Sequence, residues 1–219
     1  MVGNLATDWN GLVTAGSIEA VGERIKGKAE ALNILDAIKE SGKATVTRVS
    51  TVQKTEKPPL LYDLTSLQRD ANKCYGFTAQ QTLDYTQSLY EKKLVTYPRT
   101  DSRYLTDEMD ESTALLSLKM KEKYGYTKNM DINVQQVVNG KKVSDHHAII
   151  PTENAAEAIF ADIPIGEQKI LGMITARLLS AVGKPCSVME YHLALSCAGH
   201  FFKANARAIV NPGWRDIQN

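Results

Sequence analysis

Ile18, Val21, Ile25, Ala29, Leu32, Leu35 and Ile38 recur three or four residues apart with Gly42 just beyond, which predicts an amphipathic helix over 18–39. The pattern then changes. Ala44 to Thr55 is rich in Thr and Val and reads as a strand, and Lys57-Pro58-Pro59 ends it, because neither a helix nor a central strand accommodates that pair of prolines. A domain junction is expected there. Beyond it, Thr65-Ser66-Leu67-Gln68 has capping-box spacing, Leu67, Ala71 and Cys74 define one apolar face, and Gly76 offers a left-handed stop. Thr78-Ala79-Gln80-Gln81 repeats the cap and opens a second helix to about Lys92, with Leu83, Tyr90 and Leu94 along one side. Two helices joined by a short Gly-containing turn make a helix-turn-helix candidate.

Leu94-Val95-Thr96-Tyr97 reads as a short extended segment after that pair, as in a winged-helix unit. A third helix is expected over Asp107–Lys123, capped by Thr106 and acidic in its first turn. A turn at Asn139-Gly140, the segment Asp145–Thr152 and a helix over Glu167–Ala181 with Ile170, Ile174 and Leu178 on one side follow, and Gly183-Lys184-Pro185 marks a second junction. Alternation then returns through Val188, Tyr191, Leu193 and Leu195, a Gly199-His200 turn, and Phe202, Ala204, Ala206 and Ala208, the pattern of a hairpin. The expected fold class is therefore α+β. A β-rich domain is formed by both termini, residues 1–57 and 184–219, and a helical winged-helix domain, residues 58–183, is inserted into it.

Composition changes little in this picture. A chain of 219 residues that is 43% hydrophobic can bury one substantial core or two small ones. No stretch approaches the roughly 20 apolar residues of a membrane span, and the first ten residues lack a basic lead into an apolar run, so a cytoplasmic protein with no membrane partner is expected. Cys74, Cys186 and Cys197 are odd in number and form no Cys-x-x-Cys pair, which argues against a disulfide framework or zinc ribbon and leaves them as small buried hydrophobes. The formal charge of +1 carries no general signature for nucleic acid, so any polyanion site must be local.

The densest chemistry lies in Thr96-Tyr97-Pro98-Arg99-Thr100-Asp101-Ser102-Arg103, which packs a phenol, two guanidiniums and several small hydrogen-bonding groups into eight residues. Pro98 restricts Tyr97 to an extended conformation, in which residues two apart point the same way, so Tyr97 and Arg99 can face one target. A tyrosine attacking phosphorus near neutral pH needs help in losing its proton, and a planar guanidinium stabilises charge on the phosphoryl oxygens. Taken alone, a Tyr-Pro at a strand end is far more often a packed aromatic than a nucleophile, and both readings stand on local chemistry. Asp145-His146-His147-Ala148-Ile149-Ile150-Pro151-Thr152 is the second constellation. Adjacent histidines cannot face one site from a strand, so a His-His metal site is not expected. One histidine pointing at a phosphate and a plain surface turn remain as readings.

Leu61-Tyr62-Asp63-Leu64-Thr65-Ser66-Leu67-Gln68, Gly76-Phe77-Thr78-Ala79, Gln87-Ser88-Leu89-Tyr90-Glu91, Thr96 to Ser102 and Asp145 to Thr152 together resemble the tyrosine-bearing region of type IA DNA topoisomerases, with spelling nearest the topoisomerase III branch. The resemblance implies that Tyr97 matches the nucleophile, which opens one DNA strand and leaves a 5′-phosphotyrosine and a free 3′-hydroxyl. It implies that Arg99 positions the scissile phosphate and that His146 matches the family's His-x-Ala-Ile histidine; His147 is given no role. Single-stranded or locally unpaired DNA is the implied partner. Lys92, Lys93, Arg99 and Arg103 form a local basic cluster for a few phosphate contacts, with Thr100 in the tyrosine motif and Gln87, Thr152 and Arg177 placed where the family approaches DNA.

The family fold is a ring of domains in which a winged-helix domain carrying the tyrosine is inserted into a β-rich arch, and its reaction relaxes or decatenates DNA. Mg²⁺ is implied for the full-length parent, held by a Toprim domain whose Asp-x-Asp run has no counterpart here; Asp107-Glu108-Met109-Asp110 reads as helix capping. Met1 at the edge of a β-rich domain reads as the boundary of an excised piece, expected to fold, to bind no cofactor, to meet the remaining domains of the parent, and to be inactive alone. Two alternatives are weighed against this. A tyrosine recombinase needs two arginines and a histidine upstream of its tyrosine, a setting that Arg24, Arg48 and Arg69 do not provide. A non-catalytic winged-helix DNA-binding module would use Tyr97 only for packing.

Overall fold

The computed structural model describes residues 2–6, 17–22, 25, 27–126, 131–159 and 162–217. They separate into two compact units. One holds the described residues up to Glu56 together with Ser187–Asn211; the other holds Lys57–Cys186 and the described residues from Pro212 on.

The first unit is a sheet with one helix. Its strands are β1 (Val2–Ala6), β2 (Ser17–Gly22), β3 (Thr45–Glu56), β4 (Cys186–Cys197) and β5 (His200–Asn211), in the spatial order β1-β2-β5-β4-β3, with antiparallel pairing of β1 with β2, β2 with β5 and β4 with β5. The helix expected over 18–39 is shorter. Residues 18–22 are in β2, where Ala20, Val21 and Gly22 oppose Ala204, Lys203 and Phe202, and helix α1 covers only Lys28–Ser41. A spacing of three or four over so short a run does not outweigh a strand partner that satisfies the backbone, and β-branched Ile18 and Val21 suit a sheet. Gly22 also has a packing reason, since an added Cβ would lie 3.0 Å from the Phe202 ring. Gly42 ends α1 as anticipated, at φ 58 with its N–H on the Ile38 carbonyl.

The β4–β5 hairpin turns one residue earlier than expected. Ala198 and Gly199 carry φ 47 and 79, and His200 already pairs with Cys197. Two left-handed residues make the turn whose twist matches the strands, which a Gly199-His200 turn would not. Inward Leu193, Leu195 and Ala204 form the small core of this unit, with Ala44, Val46 and Phe202 against it.

The second unit is helical: α2 (Leu64–Tyr75), α3 (Ala79–Glu91), α4 (Asp110–Lys123), α5 (Glu153–Glu157) and α6 (Ile165–Ala181). Its core is far larger. Leu61, Leu67, Leu89, Leu105, Met120, Ile149, Ile170, Ile174 and Leu178 are all within 1% of complete burial. The cap of α2 is Asp63 with Ser66, not Thr65 with Gln68: the Ser66 N–H donates to Asp63 Oδ1 at 2.6 Å, and Gln68 instead donates to the Ala79 carbonyl. Asp63 accepts more strongly than a hydroxyl, which sets the helix start two residues earlier. The cap of α3 is as read, Thr78 with Gln81. Cys74 is exposed, in contrast to the expected apolar face, whereas Cys186 and Cys197 are buried.

Thr106 provides no side-chain cap, and residues Asp107–Met109 form a 3-10 turn before α4. Residues Gly213–Ile217 also depart from expectation: they are a 3-10 segment packed on α6, with Ile217 in the helical core and the Trp214 N–H on the Lys184 carbonyl, so the β-rich unit ends at Asn211. Pro212 and Gly213 break the strand, and burial of Ile217 is gained by folding back. No helix among the described residues is long and apolar enough to cross a membrane.

Candidate functional site

Helix α3 delivers the chain to Tyr97. At its end the Lys93 N–H donates to the Tyr90 carbonyl at 2.8 Å and the Leu94 N–H to the Leu89 carbonyl at 2.8 Å, a Schellman motif in which Lys93 holds the left-handed position at φ 59. Buried Leu89 and Leu94 supply the hydrophobic contact that accompanies such a stop. Lys92 is drawn to α6, where its ammonium lies 2.6 Å from Glu167, a carboxylate that also accepts from the Ser88 hydroxyl at 2.9 Å.

The reversal launches Leu94–Tyr97 as an extended segment against residues 148–152. Val95 bridges Pro151, the Thr96 N–H donates to the Ile150 carbonyl, the Thr152 N–H donates to the Leu94 carbonyl, and the Thr152 hydroxyl donates to the Lys93 carbonyl. The Thr96 hydroxyl donates to the Ala148 carbonyl at 3.0 Å and accepts from the Ile150 N–H at 3.0 Å. Beyond Tyr97 the loop is pinned again. The Thr100 hydroxyl donates to the His146 carbonyl at 2.9 Å, the Leu64 N–H to the Thr100 carbonyl at 3.1 Å, and Arg103 Nε to the Leu61 carbonyl at 3.1 Å.

These contacts bring Tyr97 and His146 together, with ring centroids 4.3 Å apart and planes at 45°. Tyr97 is half-buried and Pro98 buried, whereas Arg99 is exposed and makes no ion pair or hydrogen bond among the described residues. Its guanidinium is therefore available to an incoming anion. His147 points elsewhere, its Nδ1 2.9 Å from the Ala148 carbonyl. The two constellations, 49 residues apart at Tyr97 and His146, form one surface.

The remaining candidates divide. Lys93 is exposed, and the Gln87 amide donates to Glu91 on its own helix. Arg103 is half-buried with Nε committed to the backbone. Lys92 is committed to Glu167, and Arg177 lies over the Tyr62 ring, 4.0 Å from its centroid, while donating to Asp70, to the Tyr62 hydroxyl at 3.0 Å and to the Leu60 carbonyl. Burial pushes the Tyr62 phenol up to about 12, so it stays neutral and donates to Asp70 at 3.1 Å. Both Lys92 and Arg177 thus hold the scaffold under the tyrosine loop. Sequence reasoning assigned no role to Tyr90, whose ring meets Tyr97 in an edge-to-face arrangement, or to Glu167; although Tyr90 sits in a resembling motif, the contact of each is with a neighbour far along the chain or around a turn.

No group of three His, Cys, Asp or Glu among the described residues is arranged to hold a metal. The acidic run at the start of α4 is otherwise engaged: Asp107 accepts from the Gly140 N–H at 3.3 Å and Asp110 from the Gln135 amide. The donor set for a divalent cation does not fit here.

Comparison with known proteins gives the family. A family model described as DNA topoisomerase matches residues 9–219. A DNA topoisomerase 3 of Bacillus subtilis (strain 168) is 36% identical over 181 residues, 80% of this chain and 25% of that protein. One from Shouchella clausii (strain KSM-K16) is 35% identical over 201 residues, 88% of this chain and 27% of that protein. The full-length topoisomerase I of Thermotoga maritima is similar in fold, with a TM-score of 0.65 at 23% identity, covering 93% of this chain and 34% of that one. The chain spans about a quarter of the length of the curated relatives it matches. It belongs to the DNA topoisomerase family, on the type IA topoisomerase III branch.

Proposed function

We propose that this chain is the tyrosine-bearing part of a longer enzyme that changes DNA topology by cleaving and rejoining one strand. The carrying observation is Tyr97 itself, held on a doubly pinned segment with its ring against His146 and an unengaged Arg99 two residues on. In the cleavage step the phenolic oxygen of Tyr97 gives up its proton and bonds to phosphorus, the bond from phosphorus to the 3′ oxygen breaks, and that oxygen takes up a proton, with no net proton change. The products are a 5′-phosphotyrosine and a 3′-hydroxyl, and religation is the reverse. Arg99 binds the phosphoryl oxygens as charge accumulates. His146 flanks the same phosphate.

Lys93, Arg103 and Gln87 are the contacts we assign to a single or locally unpaired strand, while Thr100 and Thr152, whose hydroxyls are committed to the backbone, and Lys92 and Arg177 support the loop that presents them. Mg²⁺ and its acidic ligands belong to a Toprim domain of the parent, and no step above runs through them. We read the helical unit as a winged-helix domain inserted in a β-rich arch; the α2–α3 pair and the extended segment after it support that reading. Neither the recombinase reading nor the non-catalytic one is favoured by the family match.

The test uses the full-length enzyme and a single-stranded oligonucleotide labelled at either end. The 3′ label is expected to migrate with denatured protein and the 5′ label to appear as a shorter free strand. Tyr97→Phe is expected to abolish the adduct while leaving strand binding within about twofold. Transfer of the 5′ label to protein, or an adduct on the Phe variant, would sink the assignment.

A further inference from the structure

Tyr90 lies in the last turn of α3 with its ring 5.4 Å from that of Tyr97, the planes at 77°, in the edge-to-face arrangement that aromatic quadrupoles favour. It is 39% exposed, so its ring does little for the core. Its backbone, in contrast, is fixed, because the Tyr90 carbonyl is the acceptor of the Schellman motif that places Lys93 and starts the Tyr97 segment. The Tyr97 ring thus meets two others, Tyr90 and His146.

A tyrosine side chain has two soft torsions, and an attacking oxygen must meet phosphorus in a narrow range of geometry. Contact with two rings restricts those torsions before DNA arrives. We propose that Tyr90 is a positioning residue for the nucleophile, setting the orientation of the Tyr97 ring by edge-to-face contact. This rests on the reading of Tyr97 as nucleophile. The contact needs the ring of Tyr90 and not its hydroxyl, a distinction that separates positioning from contact with DNA through the phenol.

The experiment compares Tyr90→Ala, Tyr90→Phe and Tyr97→Phe in the full-length enzyme, measuring single-turnover adduct formation at saturating single-stranded DNA and, separately, affinity for the same strand. Tyr90→Ala is expected to slow adduct formation about three- to tenfold with affinity unchanged, the size of one aromatic pair. Tyr90→Phe is expected to restore the rate to within about twofold of the parent. An unchanged rate for Tyr90→Ala overturns the proposal, and so does a loss confined to affinity, which would make Tyr90 a base contact. A Phe variant as slow as the Ala variant also overturns it. An adduct formed by Tyr97→Phe would instead remove the underlying reading, so the two failures are distinct.

Discussion

Lys93 occupies a backbone position that glycine fills at lower cost, since a side chain at φ 59 crowds the following carbonyl. That strain accompanies an exposed ammonium four residues before Tyr97, which is the arrangement expected of a residue kept for its charge. Lys93→Gly is accordingly expected to raise stability, by up to about 1 kcal/mol in a urea titration, and to weaken binding of single-stranded DNA. The slope of log affinity against log salt should become shallower by about 0.7, the value for one phosphate contact on a single strand. A glycine variant with unaltered salt dependence would remove Lys93 from the DNA contacts. At this scale the chemistry was legible and the company was not. Tyr97, Arg99 and His146 stand out by residue type and spelling, whereas Tyr90, though part of a resembling motif and an apolar position on α3, is given no role by sequence, because its contact with Tyr97 depends on the reversal at Lys93.

Among elements, the α3–α6 junction turns on a carboxylate that sequence patterns treat as a helix-start residue. Glu167 is 6% exposed and is satisfied by Lys92 and Ser88, so removing Lys92 leaves a desolvated charge with one neutral partner. Lys92 itself is 42% exposed in its side chain, so solvent screens part of the loss, and Lys92→Met is expected to cost about 1–2 kcal/mol. Adding Glu167→Gln to that variant should recover part of the deficit in a double-mutant cycle followed by urea denaturation; strict additivity would show the pair to be uncoupled. The elements α2, α3 and α6 and the β4–β5 hairpin were readable because each carries its own caps, helical periodicity or alternation. Helix α1 was over-extended into β2, since five residues of either period look alike and only the β5 edge decides between them.

On the scale of the molecule, the two units differ in how much they bury. Among the described residues, the helical unit surrounds a core of Leu, Ile, Met and Val side chains, while the β-rich unit packs Leu193, Leu195 and Ala204 with three partly buried neighbours, and α1 contributes no buried residue. Local opening follows buried apolar contact, so amides of β2, β4 and β5 are expected to exchange with deuterium well before those of α6 at the same pH and temperature. Equal protection in both units would contradict that reading of the cores. The sequence by itself determined the order of elements from α1 onward in outline, several caps, the α+β class and, through local spelling, the tyrosine and arginine proposed to act together, because these depend on neighbours a few residues away. Only the tertiary structure decided what surrounds that tyrosine: the pairing of residues 94–97 with 148–152, the approach of His146 and Tyr90, the commitment of Lys92 and Arg177 to buried partners, and the return of Gly213–Ile217 to α6. Those are contacts between segments far apart in the chain or across a turn, set by which groups gain burial and hydrogen bonds together, and no local pattern encodes them.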